Sequence, residues 1–193
     1  PLLDPLAPML ARLQLPGIRD QLDSLLDEAG RANVSARETL ILLCEREIAR
    51  KDHRRIEMAL KLAHFPAVKE LAGFDFEAQP SIDPKQIRDL AASRWIANGE
   101  NVLLLGPPGV GKTHLAVGIL KEVIRTKGGR GYFFETRELL KLVRDTYNRS
   151  TEETEMEALA PVLDADLLVL DDLGAEKTSE WVQETHGLVV NTR

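Results

Sequence analysis

Residues 106–113 read Gly106-Pro107-Pro108-Gly109-Val110-Gly111-Lys112-Thr113, a G-x-x-x-x-G-K-[ST] pattern without a mismatch. The apolar run from Asn101 to Leu105 in front of it predicts a strand, and His114 to Arg125 behind it predicts a helix. That order puts a glycine-rich turn at a helix N-terminus. Backbone N–H groups are unpaired there and the helix dipole favours an anion. Gly106 and Gly111 let the backbone curl around phosphates without a Cβ clash. Lys112 supplies a point charge for the outer phosphates, and the Thr113 hydroxyl suits Mg²⁺. The expected nucleotide-binding residues are therefore Gly106, Pro107, Pro108, Gly109, Val110, Gly111, Lys112, Thr113 and His114. His114 follows in the first helical turn, as a packing residue rather than a catalytic one.

A second element strengthens the first. Leu167-Leu168-Val169-Leu170-Asp171-Asp172 is a short apolar run closed by two carboxylates. Such a run suits a parallel strand covered on both faces. Asp171, at the strand's C-terminal end, is expected to hold Mg²⁺ through water. Asp172 is expected to orient or polarise a water attacking the γ-phosphate. Lys112 and Asp172 are thus the candidate catalytic residues, and Thr113 and Asp171 the candidate metal ligands.

The 193 residues suffice for one α/β domain plus a small appendage. At 44% hydrophobic and 29% charged, the composition is that of an ordinary soluble protein. No apolar run reaches bilayer-spanning length. The N-terminal stretch carries Asp4, Pro5 and Pro8 without a basic start, which predicts no signal peptide. Cys44 is the single cysteine, so no intrachain disulfide forms and a reducing cytoplasm fits. Cys44 shares a helical stripe with Ile41 and Ile48 and is expected in the core.

The net charge of −6 argues against a uniformly basic nucleic-acid binder. The distribution is uneven. Residues 31–64 carry eight Lys/Arg against five Asp/Glu, whereas residues 150–180 carry one Lys against ten acids. Any DNA contact is expected from a patch, not from the whole surface.

The chain is expected to comprise an N-terminal helical domain over residues 1–64, an ordered linker over 65–82, and a partial ATP-binding domain over 83–193. Pro16 and Gly17 open one helix, with Gly30 closing it. Ser35 to Glu38 forms a capping box for the next, which runs as far as Leu62. Asp83-Pro84 starts a helix that ends at Asn98-Gly99. A strand around Tyr132-Phe133-Phe134 follows the phosphate-loop helix, and Thr136 caps the helix after it. The acidic stretch 151–158 is a loop or short helix. The last strand covers 167–170, and the last helix runs from about Ser179 to Val190. Alternating strands and helices imply βαβ units and a parallel sheet.

Together, Gly106 to Thr113, Leu167 to Gly174, Phe74-Asp75-Phe76, Arg94-Trp95-Ile96 and Gly99-Glu100-Asn101 resemble the IstB-like AAA+ ATPases. These are helper ATPases of insertion-sequence transposition, related more distantly to DnaC-type helicase loaders. The stretch Leu13-Gln14-Leu15-Pro16-Gly17, with the arginine-rich helix after it, resembles the helpers' N-terminal part. The resemblance implies an α/β fold of the P-loop NTPase (AAA+) type, with a parallel sheet flanked by helices. It also implies an N-terminal all-helical domain, and ATP and Mg²⁺ as cofactors. It makes Phe76 and Ile82 candidates to touch the adenine, with core packing as the alternative. The family often has Asp-Glu in the second motif. Asp171-Asp172, followed by Leu173-Gly174-Ala175-Glu176, leans towards the loader-like branch and is compatible with slow hydrolysis.

An AAA+ module also needs a sensor residue, an arginine finger acting in trans and a helical lid. None has a counterpart before Arg193, so the sequence reads as a fragment truncated at the C-terminus. Nucleotide binding is expected to survive that loss and competent hydrolysis is not, an arginine finger being worth about 10³–10⁵ in rate.

Arg46, Arg50 and Arg54 share one helical face, with Lys51 and Arg55 beside them. The stripe suits DNA phosphates without sequence readout. Interleaved Glu45, Glu47, Asp52 and Glu57 allow the alternative of a solvated, ion-paired helix.

The leading expectation is an ATP-dependent transposition helper. It would oligomerise with itself on DNA through the ATPase domain and recruit a transposase. The alternative is a loader that grips a replicative helicase. A small-molecule kinase would need an acceptor pocket and a lid, and neither leaves a sign in the sequence.

Overall fold

A computed structural model describes residues 5–67, 69–147, 154–174 and 179–191. Residues 151–153 of the acidic stretch, and Ala175 and Glu176, lie outside them. The chain divides into two compact units, Pro1–Glu57 and Met58–Arg193.

The first unit is helical. It holds α1 (Leu6–Arg12), α2 (Pro16–Arg19), α3 (Leu22–Ala32) and most of α4 (Ala36–Leu62). Leu10, Ile18 and Leu22 form its core, with Leu15 and Leu43 packed against them. Pro16 pre-sets the first turn of α2. The Ile18 N–H donates to Glu47 Oε2 at 3.1 Å, so a carboxylate of α4 caps α2. A Cβ on Gly17 would sit 2.8 Å from that oxygen, so the approach requires glycine. Arg50 completes the hook, donating to the Pro16 carbonyl at 3.1 Å and to Asp20 Oδ2 at 2.8 Å.

This unit departs from expectation at two places. Gly30 does not end a helix: α3 continues past it and stops at Asn33, whose φ of 52° is the left-handed cap that asparagine tolerates. Cys44 is not in the core. Leu43, Glu47 and Arg50 face α2 and its neighbours, which turns Ile41, Cys44 and Ile48 outward. Ser35 and Glu38 form the expected reciprocal cap, the Ser35 N–H donating to Glu38 Oε2 at 2.7 Å.

The second unit is layered on a parallel pair of strands, β1 (Gly131–Glu135) and β2 (Leu167–Asp171), in register from Gly131–Leu167 to Glu135–Asp171. Alternate residues face opposite layers. Phe133, Leu167 and Val169 join the core around α7 (Lys112–Lys127). Phe134, Leu168 and Leu170 join a second core. That core is built on α8 (Thr136–Asp145), α9 (Glu155–Leu163) and α10 (Glu180–Asn191). Both faces are thus covered, which is why β2 reads as an unbroken apolar run. Trp95 packs on the first core and Trp181 on the second.

Asp83 caps α5 (Pro84–Ala91) by accepting from the Lys85 N–H at 2.8 Å. The helix expected to reach Asn98 breaks at Ser93, whose φ is 62°, and resumes as α6 (Arg94–Ala97). Thr136 does not cap α8. It is that helix's first residue, and its hydroxyl bonds elsewhere.

The strand expected over 101–105 does not form. A strand exists through its ladder, and among the described residues β1 and β2 pair only with each other. An open groove of about 590 Å³, lined by Leu103, Leu105, Leu168 and Leu170, separates 101–105 from β2. Leu103 and Leu105 are left 72% and 86% exposed. On the far side of the sheet, the Ala63 carbonyl accepts from the Phe133 N–H at 2.8 Å.

Candidate functional site

The loop at 106–111 leads straight into α7. Gly109 and Gly111 take φ of 83° and 92°, a region in which a side chain is strained. At Gly111 a side chain is also excluded by space, since a Cβ would lie 2.6 Å from Phe74 Cε2. Gly111 is the N-cap of α7 and has no side chain to bond the first N–H groups. Those donors remain available to a ligand.

Lys112 Nζ donates to the Gly106 carbonyl at 2.9 Å and to the Pro107 carbonyl at 2.8 Å. The ammonium is therefore drawn across the mouth of the loop. An anion there would meet a positive charge and free N–H groups together. Pro107, Pro108 and Val110 fill the turn between the glycines, and Pro107 and Pro108 are exposed.

The Thr113 hydroxyl donates to Asp171 Oδ2 at 2.7 Å. The two residues are 58 positions apart in sequence, and β2 delivers its tip to the start of α7. A hydroxyl and a carboxylate oxygen in contact are hard ligands that suit Mg²⁺. Among the described residues no cluster of three His, Cys, Asp or Glu could hold a metal. Mg²⁺ at this place would thus draw its other ligands from phosphate and water, as it commonly does. Asp172 follows at the exposed tip with φ of 54°. Asp tolerates that left-handed conformation better than Glu, which gives a physical reason for Asp-Asp here.

His114 turns away from the loop. Its Nε2 hydrogen-bonds the Glu70 carbonyl at 2.9 Å, which makes that nitrogen the protonated one. Phe74 packs edge-on to both His114 and Phe76, with ring centroids 5.2 and 4.8 Å away. Phe76 and Ile82 are half-buried and packed on the α7 core.

Sequence reasoning missed the clamp that holds this segment down. Glu70 accepts from Arg125 at 2.6 and 3.0 Å and from the buried Lys121 at 3.3 Å. The Arg125 bond, helped by Lys121, keeps the Glu70 carboxyl below its usual range, and Glu70 in turn raises Arg125. Lys121 also lies over the Phe65 ring, 5.1 Å from its centroid. No spacing rule links residue 70 to 121 and 125, so only the fold reveals it.

On α4 the basic residues are mostly paired. Arg46 lies 3.9 Å from Glu28, Arg50 2.8 Å from Asp20, Lys51 3.7 Å from Glu47 and Arg55 3.5 Å from Asp52. Arg54 has no ion-pair partner among the described residues.

Comparison with known proteins follows the same lines. The model of the family described as "IstB-like ATP binding protein" matches residues 8–190. The chain is 37% identical over 164 residues to a protein of Geobacillus stearothermophilus designated an ATP-binding protein of insertion sequence IS5376, covering 84% of this chain and 63% of that one. It is 35% identical over 166 residues to one designated for insertion sequence IS21 in Pseudomonas aeruginosa, covering 86% and 61%. The chain thus spans about three fifths of the length of these relatives. The crystal structure of the DnaC helicase loader superposes with a TM-score of 0.54 at 32% identity, covering 64% of this chain and 69% of that one. The fold is that of an α/β P-loop NTPase of the AAA+ type.

Proposed function

We propose that this chain, which belongs to the IstB-like ATP-binding protein family, binds ATP with Mg²⁺ and serves as a DNA-associated helper ATPase of transposition. The observation that carries the nucleotide reading is the 2.7 Å bond from Thr113 to Asp171 beside a complete phosphate loop. The loop N–H groups and Lys112 bind and orient the triphosphate. Thr113 and Asp171 would hold the metal. Mg²⁺ held there would supply positive charge to the phosphate oxygens. Asp172 holds the attacking water and accepts its proton.

The transposition role rests on relatives designated for insertion sequences. ATP would favour self-association through the ATPase domain on DNA, with the basic residues Arg46, Arg50, Lys51, Arg54 and Arg55 of α4 facing phosphates without sequence preference. A transposase would be the partner recruited. No helix among the described residues is long and apolar enough to cross a membrane, which accords with a cytoplasmic site of action.

The likeness to the DnaC helicase loader favours a second reading, an adaptor for a replicative helicase. Pull-down separates the two. ATP-dependent retention on transposase-bound DNA is expected, and retention only on helicase rings would replace the first reading with the second.

A further inference from the structure

Thr136 opens α8 directly after β1 ends, and it is fully buried, at 0% exposure. Its hydroxyl donates to the Asp171 carbonyl at 2.8 Å. The ladder between the strands stops at the Glu135–Asp171 pair. Where β1 gives way to a helix, the Thr136 side chain adds a donor to the partner strand. A threonine on a helix more often bonds a carbonyl within its own turn. This bond instead spans 35 positions and joins two elements.

The peptide held in this way is the one that joins Asp171 to Asp172. On one side of it, Asp171 Oδ2 accepts from Thr113 at 2.7 Å. On the other, Asp172 sits at φ of 54°, a left-handed conformation that Asp adopts more readily than most residues other than glycine.

We propose that Thr136 is a positioning residue for the metal and phosphate site. Its buried hydroxyl locks the Asp171–Asp172 peptide and so aims both carboxylates at the start of α7. The proposal rests on the reading of Asp171 as a metal ligand. Thr136 itself touches neither nucleotide nor metal. Loss of this donor removes a buried hydrogen bond from the Asp171–Asp172 peptide and loosens its orientation.

The test titrates a fluorescent ATP analogue into the full 193-residue chain, once with Mg²⁺ and once with EDTA. Thr136→Val keeps the shape and removes the donor. Its affinity in EDTA is expected within about two-fold of wild type, while the gain from Mg²⁺ falls about five-fold or more, the usual weight of one buried hydrogen bond. Thr136→Ser keeps a hydroxyl and is expected to recover the gain. Asp171→Ala runs beside them. If Asp171→Ala retains the full Mg²⁺ gain, the metal reading itself fails. If Asp171→Ala loses the gain and Thr136→Val retains it, the role of Thr136 fails alone. Equal losses in EDTA and Mg²⁺ for Thr136→Val also overturn it, because a packing defect acts in that way. Should Thr136→Val not fold by circular dichroism, Thr136→Ser against Thr136→Ala carries the same contrast with the same overturning results.

Discussion

At the scale of single residues, the site turns on atoms that each have one task. Lys112 is drawn over the loop by two carbonyls, and Thr113 meets Asp171. Asp172 stands apart: it is exposed and held at a left-handed φ of 54°. Asparagine tolerates that conformation as well as aspartate does. Asp172→Asn is therefore expected to fold and to bind ATP within about two-fold of wild type, because it removes charge without disturbing the backbone. In an assembly that hydrolyses ATP, the same change is expected to slow turnover by about 10²–10⁴, the usual weight of a general base. Single-turnover hydrolysis, read beside equilibrium binding, checks both halves. Unchanged turnover would remove Asp172 from the chemistry.

At the scale of elements, the Glu70 clamp ties the segment ahead of the phosphate loop to α7. Its pH dependence has a definite sign. The folded carboxyl titrates below its ordinary value of 4.5, chiefly through Arg125. The clamp's stability is therefore complete above about 4.5 and is lost as pH falls through the lowered folded value. Glu70→Gln is expected to cost about 1 kcal/mol at pH 7, a modest figure because the Glu70 side chain is 38% exposed. The same variant should flatten the stability profile below pH 4.5. Urea midpoints across pH 3–7 check this, and an unaltered acid limb would show the clamp to be idle. On α4, Cys44 faces outward. It is expected to react with a thiol reagent in the native chain at nearly the rate seen in urea, and strong native protection would mean that this helix face is covered.

Local pattern carried much of this scale. The alternation of Leu167 and Val169 against Leu168 and Leu170 was legible because each face of β2 is apolar, and the capping box at Ser35 needs only neighbours in sequence. What stayed hidden depends on partners. Asn101 to Leu105 is as apolar as β2, yet a strand needs an adjacent edge, and residue type does not reveal one. The stripe of Ile41, Cys44 and Ile48 marks an apolar face. Which face of α4 is used is decided by Glu47 and Arg50, which anchor the turn at Pro16. Thr136 reads as a cap from its neighbours in sequence, and only the fold brings the Asp171 carbonyl, 35 positions away, to its hydroxyl.

At the scale of the molecule, acidic and basic segments are set apart along the chain, so DNA binding is a question of patches. Arg50 is committed to the hook on Asp20 and Pro16, and changing it would disturb the fold. Arg54→Ala with Arg55→Ala leaves the hook intact. If the α4 stripe meets DNA, this pair is expected to weaken binding uniformly across sequences. It should also lower the slope of log affinity against log salt by about 2, since each phosphate that is no longer neutralised removes roughly 0.9. Anisotropy titrations between about 50 and 200 mM salt, the range over which such charge pairing is felt, provide the measurement. An unchanged slope would place the DNA-binding surface elsewhere.

All of these expectations depend on the turn at residues 106–113 holding a triphosphate opposite Asp171. Calorimetric titration of the chain with ATP and Mg²⁺, beside Lys112→Ala, tests this most directly. Saturable binding of one ATP per chain is expected for the wild type, with affinity about ten-fold or more weaker in the variant as a charge-assisted hydrogen bond disappears. Equal affinity in the two proteins would contradict it.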